Sequence, residues 1–152
     1  MQVNIQAVAQ VKNQRKTLAD DHWGEVVSEI HLEDTLSSEC FDAIDDFSHL
    51  QVIFYFDQVD PNQIVLGSEH PRENLSWPKV GIFAQRKKSR PNCIGSTMVR
   101  LLKREGRVLW VAGLDAIDGT AVLDIKPVMH EFLPREEVKQ PPWASELMSN
   151  YW

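Results

Sequence analysis

The sequence lacks the glycine patterns that bind nucleotide phosphates. Its seven glycines never occur as G-x-G, so both the dinucleotide fingerprint of a Rossmann domain and the Walker phosphate loop are absent. A nucleotide-binding enzyme built on either motif is therefore disfavoured. The G-x-S-x-G elbow of serine hydrolases is also missing.

Metal-binding and disulfide patterns are equally scarce. The five histidines have neither H-x-x-x-H nor Cys/His metal spacing, so we expect no metal. The only cysteines are Cys40 and Cys93, and no signal-like apolar segment begins the chain. A disulfide framework is disfavoured, and we expect a cytoplasmic protein. No apolar run approaches the roughly 20 residues of a membrane-spanning helix. We therefore expect no membrane-spanning helix and no membrane partner.

Basic residues are also fewer than acidic ones. Acidic residues outnumber basic ones by 22 to 16, giving a net charge of −6, so bulk attraction to nucleic acid is not expected. Any polyanion has to meet a local basic patch. The segment Arg86–Arg90 is such a patch, because it places four cations in five residues.

Hydrophobic periodicity indicates a mainly β chain. With 152 residues and no clear linker, we expect one domain, with a barrel core at about 1–133 and an irregular tail over 134–152. Alternating apolar residues predict strands in most of the core, and helical spacing predicts one short helix over Glu33–Asp46. The predicted strands are Val3–Val11, Val26–Leu32, Ser48–Phe56, Val80–Ala84, Ser96–Leu102, Val108–Ala112 and Val122–Lys126. Many strands with short turns are typical of a barrel or a sandwich. Trp143–Trp152 has the spacing of a short docking helix.

The basic segment lies between two predicted strands. Pro91 fixes its own φ and restricts Arg90, so the loop is expected to be stiff as well as charged. Gly95 then allows close backbone approach. The simpler alternative is a solvated turn whose cations keep the flanking strands soluble.

A second informative segment follows the predicted hairpin. Asp118 and Gly119 predict a turn, and Asp124 and Lys126 lie on one face of the next strand. There a carboxylate can bind an amine or ribose and a lysine can bind a carboxylate or phosphate. The alternative is an exposed ion pair, which stabilises a fold by at most about 1 kcal/mol.

Three motifs resemble the TsaA-like, or TrmO, family. R-x-x-x-R-P-N-x-I-G follows a G-[IV]-F-A strand, and the segment from Gly119 to Pro127 is similar to the family's G-T-P-V-x-D-I-K-P-Y. A weaker match is F-S-H at Phe47–His49. The resemblance implies a β-barrel, a homodimer and a methyltransferase that uses S-adenosyl-L-methionine on tRNA. The implied target is N6-threonylcarbamoyladenosine beside the anticodon.

The resemblance also implies roles for individual residues. The cofactor would contact the end of the Phe47–Phe56 strand, the basic loop and the Asp124–Lys126 strand, through Asp57, Gln58, Arg86, Ser96, Asp124, Ile125 and Lys126. Lys87, Lys88 and Arg90 would meet RNA phosphates. The nitrogen to be methylated is weakly nucleophilic, so a carboxylate such as Asp115 or Asp118 is a candidate to assist its deprotonation.

The sequence departs from the family pattern at several positions. The family usually has Thr, Pro, Pro, Tyr and His at the positions that are occupied here by Gln85, Cys93, Ala121, Val128 and Asp57, respectively. These departures leave open a methyltransferase for a smaller substrate, or a noncatalytic module that binds RNA or a ligand.

Overall fold

The computed structural model describes residues 1–152, and its main element is a closed barrel of six antiparallel strands. The barrel strands are β1 Ala9–Lys12, β2 Val27–Leu32, β3 His49–Tyr55, β6 Ile94–Glu105, β7 Val108–Ala112 and β8 Ala121–Pro127. Around the barrel they follow the order β1-β2-β7-β6-β3-β8, and β8 pairs with β1 to close it. A separate ribbon pairs β4 Ser68–Glu69 with β5 Val80–Gly81. The expected mainly β barrel is thus confirmed.

The core fills the barrel because alternate residues of each strand point inward. On β3, the inward residues Leu50, Val52 and Phe54 are at most 1% exposed. They belong to a cluster of 14 buried apolar residues drawn from all six strands and from the loops at their ends. Full burial of such a side chain contributes about 1.5–3 kcal/mol. The period-two pattern that predicted β2 and β3 therefore reflects their packing.

The sequence-predicted turns and hairpin are present. β6 and β7 form a hairpin around Gly106, whose φ of +58° lies in the left-handed region. Gly119 has a φ of +86° in the turn before β8. These glycines permit backbone conformations that most residues adopt only at a cost.

Four predicted elements are wrong in extent or type, and one of them, the strand predicted at Ser96–Leu102, extends from Ile94 to Glu105. The first strand covers only Ala9–Lys12, because only these residues pair with β2, and Val3 is 69% exposed. Glu33–Asp46 holds two short 3₁₀ turns rather than a helix, and Ala43 between them has a φ of +60°. The predicted strand Val80–Ala84 stops at Gly81 and continues as a 3₁₀ turn.

The one α-helix lies in the tail. Helix α1 spans Pro142–Leu147, so it covers only the first half of the docking helix predicted at Trp143–Trp152. None of the helices has the length and apolar character needed to cross a membrane.

Candidate functional site

Three adjacent strands bring several predicted cofactor residues onto one outward surface. Ile53 on β3 pairs with Ser96 on β6 and with Asp124 on β8. Gln51 pairs with Lys126 on the same side. Directly opposite residues of antiparallel strands project from the same face. We call Gln51, Ser96, Asp124 and Lys126 the outer-face cluster.

The outer-face cluster contains polar groups of both charge signs. The amide Nε2 of Gln51 donates to Ser96 Oγ at 3.0 Å. Lys126 Nζ lies 2.6 Å from Asp124 Oδ2, and the side chains of these two residues are 58% and 47% exposed. Asp124 Oδ1 also accepts the Ile125 backbone N–H at 2.9 Å. The ion pair predicted as the simpler alternative is present, and it is open to solvent and to a ligand.

Two other predicted cofactor positions lie just beyond β3. Asp57 and Gln58 are exposed and follow Tyr55, which pairs with Ile94 and with Ala121. They are therefore at the end of the same three strands. Ile125 differs from the other predicted residues, because its side chain packs against the barrel core rather than facing outward.

A second cluster lies along a free edge of β6. β7 pairs with β6 only from Arg100 onward, so the first part of β6 has no strand on that side. The guanidinium of Arg86 donates to the Ser96 carbonyl there. Asp115, in the loop that follows β7, accepts one hydrogen bond from the Thr97 hydroxyl and another from the Tyr151 hydroxyl. Arg86, Thr97, Asp115 and Tyr151 form the edge cluster.

The two clusters meet at Ser96. Its carbonyl accepts from Arg86 of the edge cluster, and its hydroxyl accepts from Gln51 of the outer-face cluster. The basic loop and the strand that carries Asp124 are therefore on either side of the β3–β6 pair. The two sequence motifs are thus linked through β3 and β6, with Ser96 as the residue that both clusters share.

The environment of the edge cluster determines the protonation state of the Tyr151 phenol. Burial raises the pKa of Tyr151 well above the usual range, and the nearby negative charge of Asp115 raises it further. The positive charges of Arg86 and Arg72 oppose this shift. Tyr151 is therefore a neutral hydrogen-bond donor, and Asp115 is the acceptor.

Asp118 has different partners from Asp115. Its carboxylate accepts from Lys16 Nζ at 3.0 Å and from the Asn13 backbone N–H at 3.1 Å. Lys16 is the main cause of the lowered pKa of Asp118, and the Asn13 bond is the second. These contacts tie the turn before β8 to the loop after β1, and a carboxyl of lowered pKa is a weak proton acceptor.

The basic loop offers fewer free cations than its sequence suggests. Lys87 Nζ pairs with Glu69 Oε1 at 2.5 Å, and Arg90 donates to the Gln85 carbonyl at 2.8 Å. Arg86 belongs to the edge cluster. Lys88 makes no side-chain ion pair or hydrogen bond, so its ammonium group has no partner within the protein.

An exposed apolar pair lies beside the basic loop. Leu66 precedes β4 and Phe83 follows β5, and between them the Ile82 N–H donates to the Gly67 carbonyl. Leu66 is 83% exposed and Phe83 is 78% exposed. An aromatic ring this open to solvent is suited to stacking on a planar ligand.

The departures from the family pattern have identifiable structural effects. Gln85 is buried and donates to the Val80 carbonyl at 3.2 Å, so it ties the loop to β5. Cys93 has a φ of +49°, which a proline cannot adopt. The loop before β6 therefore bends in a way that the usual family residue would prevent. Ala121 retains its pairing with Tyr55, and the Val128 N–H donates to the His49 carbonyl.

Sequence reasoning did not identify three residues of these clusters. Gln51 had a detectable signal, because it is a polar residue between the apolar residues Leu50 and Val52, whereas Thr97 lies beside Ser96 in a strand with several polar residues. Tyr151 was predicted only as part of a docking helix. Its contact with Asp115 joins positions 36 residues apart, and no local pattern encodes it.

Comparison with known proteins relates this chain to one family. Residues 12–132 match the family profile described as the tRNA-methyltransferase O N-terminal domain. The crystal structure of TrmO from Pseudomonas aeruginosa aligns with a TM-score of 0.72 and 25% identity, covering 91% of this chain and 62% of that one. The fold and the sequence thus indicate the same relationship.

Individual relatives are similar over most of the barrel. A probable S-adenosyl-L-methionine-binding protein of Pyrococcus abyssi is 38% identical over 102 residues, which is 67% of this chain and 53% of that protein. The human tRNA (adenine(37)-N6)-methyltransferase is 36% identical over 108 residues, 71% of this chain and 24% of its own length. A probable S-adenosyl-L-methionine-binding protein of Methanothermobacter thermautotrophicus is 34% identical and is 90% covered. This chain spans about half of the first protein and a quarter of the second.

Proposed function

The chain belongs to the tRNA-methyltransferase O family, whose N-terminal-domain profile covers residues 12–132, and from this premise we propose that it is an S-adenosyl-L-methionine-dependent tRNA methyltransferase. The proposed target is N6 of threonylcarbamoyladenosine beside the anticodon. The observation that carries the proposal is that the outer-face and edge clusters meet at Ser96. The proposed compartment is the cytoplasm, where cell fractionation should recover the chain.

The outer-face cluster is proposed to hold the cofactor. S-adenosyl-L-methionine carries an amino group, a carboxylate and ribose hydroxyls, and supplies the methyl group from its sulfonium. The exposed Asp124 carboxylate can accept from an amine or a hydroxyl, and Lys126 and Arg86 can bind a carboxylate. Two relatives described as S-adenosyl-L-methionine-binding proteins support this assignment.

The edge cluster is proposed to handle the proton. N6 of the modified adenosine is amide-like, so it loses its proton as it gains the methyl group. We assign Asp115 as the acceptor, because Thr97 and Tyr151 use only half of its acceptor capacity. Asp118 is not assigned this role, since its ion pair with Lys16 lowers its pKa. Most of the rate enhancement would come from alignment of the two reactants.

The tRNA is proposed to approach over the basic loop. Lys88 is free to meet a phosphate, whereas Lys87 and Arg90 are engaged within the protein. Phe83 supplies the stacking surface for an unpaired base. The name of the human relative, a tRNA (adenine(37)-N6)-methyltransferase, supports this substrate.

Replacing Phe83 by alanine should weaken tRNA binding. Base stacking on an aromatic side chain contributes about 1–3 kcal/mol, so we expect the Kd for tRNA to rise by roughly tenfold. Phe132→Ala is the matched control. Phe132 is 81% exposed, and it follows the C-terminal end of β8 rather than the basic loop. Fluorescence anisotropy with labelled tRNA measures both variants. Equal effects of the two substitutions would remove Phe83 from the RNA surface.

A homodimer is also part of the proposal. Tyr55, Ile94 and Met98 are apolar or aromatic residues on the outward side of β3 and β6, and they are 41%, 36% and 49% exposed. Covering them with a second chain would bury apolar area next to the outer-face cluster. Sedimentation equilibrium should give twice the chain mass of 17.4 kDa. A single-chain mass at micromolar concentration would contradict this part.

Transfer of a labelled methyl group tests the enzymatic proposal. The chain is incubated with methyl-labelled S-adenosyl-L-methionine and with tRNA whose target base has not yet been methylated. We expect label in tRNA, and nucleoside analysis should find it at N6 of adenosine 37, the position named for the human relative. Asp124→Asn removes a charge from the outer-face cluster with little change in shape and should reduce the transfer.

The alternative functions give different results in this experiment. Cofactor affinity by calorimetry without any label transfer would indicate a noncatalytic module. Label found only on small molecules would indicate a methyltransferase for a smaller substrate. Either result would contradict the tRNA assignment.

A further inference from the structure

The tail delivers one side chain to the edge cluster from outside the family domain. The family profile ends at residue 132, whereas Tyr151 lies 19 residues further along the chain. The Tyr151 hydroxyl nevertheless donates to Oδ2 of Asp115, which lies inside the profile. The contact therefore joins the tail, which lies beyond the residues matched by the profile, to the carboxylate assigned above as proton acceptor.

The position of Tyr151 is fixed by its own backbone. The Trp23 N–H donates to the Tyr151 carbonyl at 2.7 Å, and the His22 N–H donates to the Asn150 carbonyl at 2.9 Å. The next residue, Trp152, packs so closely on Gly24 that a Cβ at Gly24 would lie 2.8 Å from its carbonyl carbon. These contacts set the register of the tail, so the phenol cannot shift along the barrel without breaking them.

A second anchor holds helix α1 of the tail. Trp77 Nε1 donates to Glu146 Oε2 at 2.8 Å, which joins helix α1 to the loop between β4 and β5. The same loop is tied to the loop after β1, because Arg72 forms two hydrogen bonds with Asp21. The tail therefore rests on two loops that are themselves connected.

The bonds to Asp115 are complementary. Thr97 donates to Oδ1 from β6, and Tyr151 donates to Oδ2 from the tail, so each carboxylate oxygen is held by a hydroxyl. Without Tyr151, the carboxylate would be fixed at one oxygen only and could rotate. Burial keeps the phenol protonated, which means that it can only donate to Asp115.

We propose that Tyr151 is a positioning residue of the methyl-transfer site, which orients Asp115 towards the nitrogen that loses its proton. This inference rests on the proposed function. Tyr151 itself transfers no proton; it acts through Asp115. The tail is accordingly part of the active site rather than only a support for the barrel.

A double-mutant cycle tests this role. Tyr151→Phe, Asp115→Asn and the double variant are compared in methyl transfer to tRNA, with cofactor affinity measured by calorimetry. We expect Tyr151→Phe to lower kcat about 30-fold, the loss that corresponds to one hydrogen bond to a charged group, and to leave cofactor affinity unchanged. In the Asp115→Asn background the same substitution should have no further effect on kcat.

A control separates positioning from general loosening of the tail. Glu146→Ala removes the anchor at Trp77 and leaves Tyr151 intact, so it should retain wild-type kcat even if it lowers Tm. Full activity of Tyr151→Phe, or an equal loss with and without Asp115, would overturn the role of Tyr151 alone. A wild-type chain that methylates no tRNA would overturn the proposed function and this inference with it.

Discussion

Replacing Arg86 by lysine is expected to weaken S-adenosyl-L-methionine binding about 30-fold. A hydrogen bond to a charged group contributes about 2 kcal/mol, and each 1.4 kcal/mol is a factor of ten. The guanidinium can donate to the Ser96 carbonyl and still present further N–H groups to a carboxylate. A lysine keeps the charge but loses this planar, multiple-donor geometry. Isothermal titration calorimetry measures the change.

The matched control for this prediction is Arg100→Lys. Arg100 is an exposed arginine of the same strand that carries Ser96, and its side chain belongs to neither cluster. The same substitution there should leave cofactor affinity within twofold. If Arg86→Lys binds the cofactor as tightly as wild type, Arg86 has no role in cofactor recognition, and its bond to Ser96 only closes the free edge of β6.

Substitution of Gly95 by alanine is expected to destabilise the barrel by about 2 kcal/mol, the usual cost of overpacking a filled core. A Cβ at this position would lie 2.5 Å from Cε2 of Phe54 and 2.9 Å from Cζ of Phe56. Phe54 is 1% exposed and contacts Phe56 edge-to-face, so neither ring can move without disturbing the core. For a chain of this size the loss corresponds to roughly 4–8 °C in Tm.

Gly81→Ala provides the comparison for Gly95. A Cβ at Gly81 would meet nothing within 4 Å, and its φ of −61° suits any residue. Thermal unfolding followed by circular dichroism should therefore show little change at Gly81 and a clear decrease at Gly95. Equal Tm values for the two variants would mean that the core adapts to the extra methyl group. In that case close packing would not explain the glycine of the R-x-x-x-R-P-N-x-I-G motif.

The barrel strands could be predicted because each encodes its burial locally. In β3, the alternation of Leu50, Val52 and Phe54 with more exposed residues shows which side faces the core. The hairpin at Gly106 and the turn at Gly119 have similar local signals. The same reasoning failed for the first part of the predicted strand Val3–Val11, since alternation alone does not produce a strand where no partner strand is available, and only Ala9–Lys12 pair with β2.

The candidate site was only partly accessible to sequence reasoning. The motifs indicated Arg86, Asp115, Asp124 and Lys126, but their relative positions required the pairing of β3 with β6 and β8. Charge counting overestimated the number of free cations in the basic loop. Lys87 forms an ion pair with Glu69, and Arg90 donates a hydrogen bond to a backbone carbonyl. Sequence shows which cations exist, and only the fold shows which are free.

By itself, the sequence determined the mainly β class, the position of most strands and the family to which the motifs belong. These properties follow from local periodicity, turn residues and contiguous motifs, all of which act over a few neighbouring positions. Only the tertiary structure decided that Ser96 joins two clusters, that Asp118 is held by Lys16, and that Tyr151 reaches Asp115. Those outcomes depend on contacts between residues far apart in the chain, which form only when strand pairing and tail docking fix their distances.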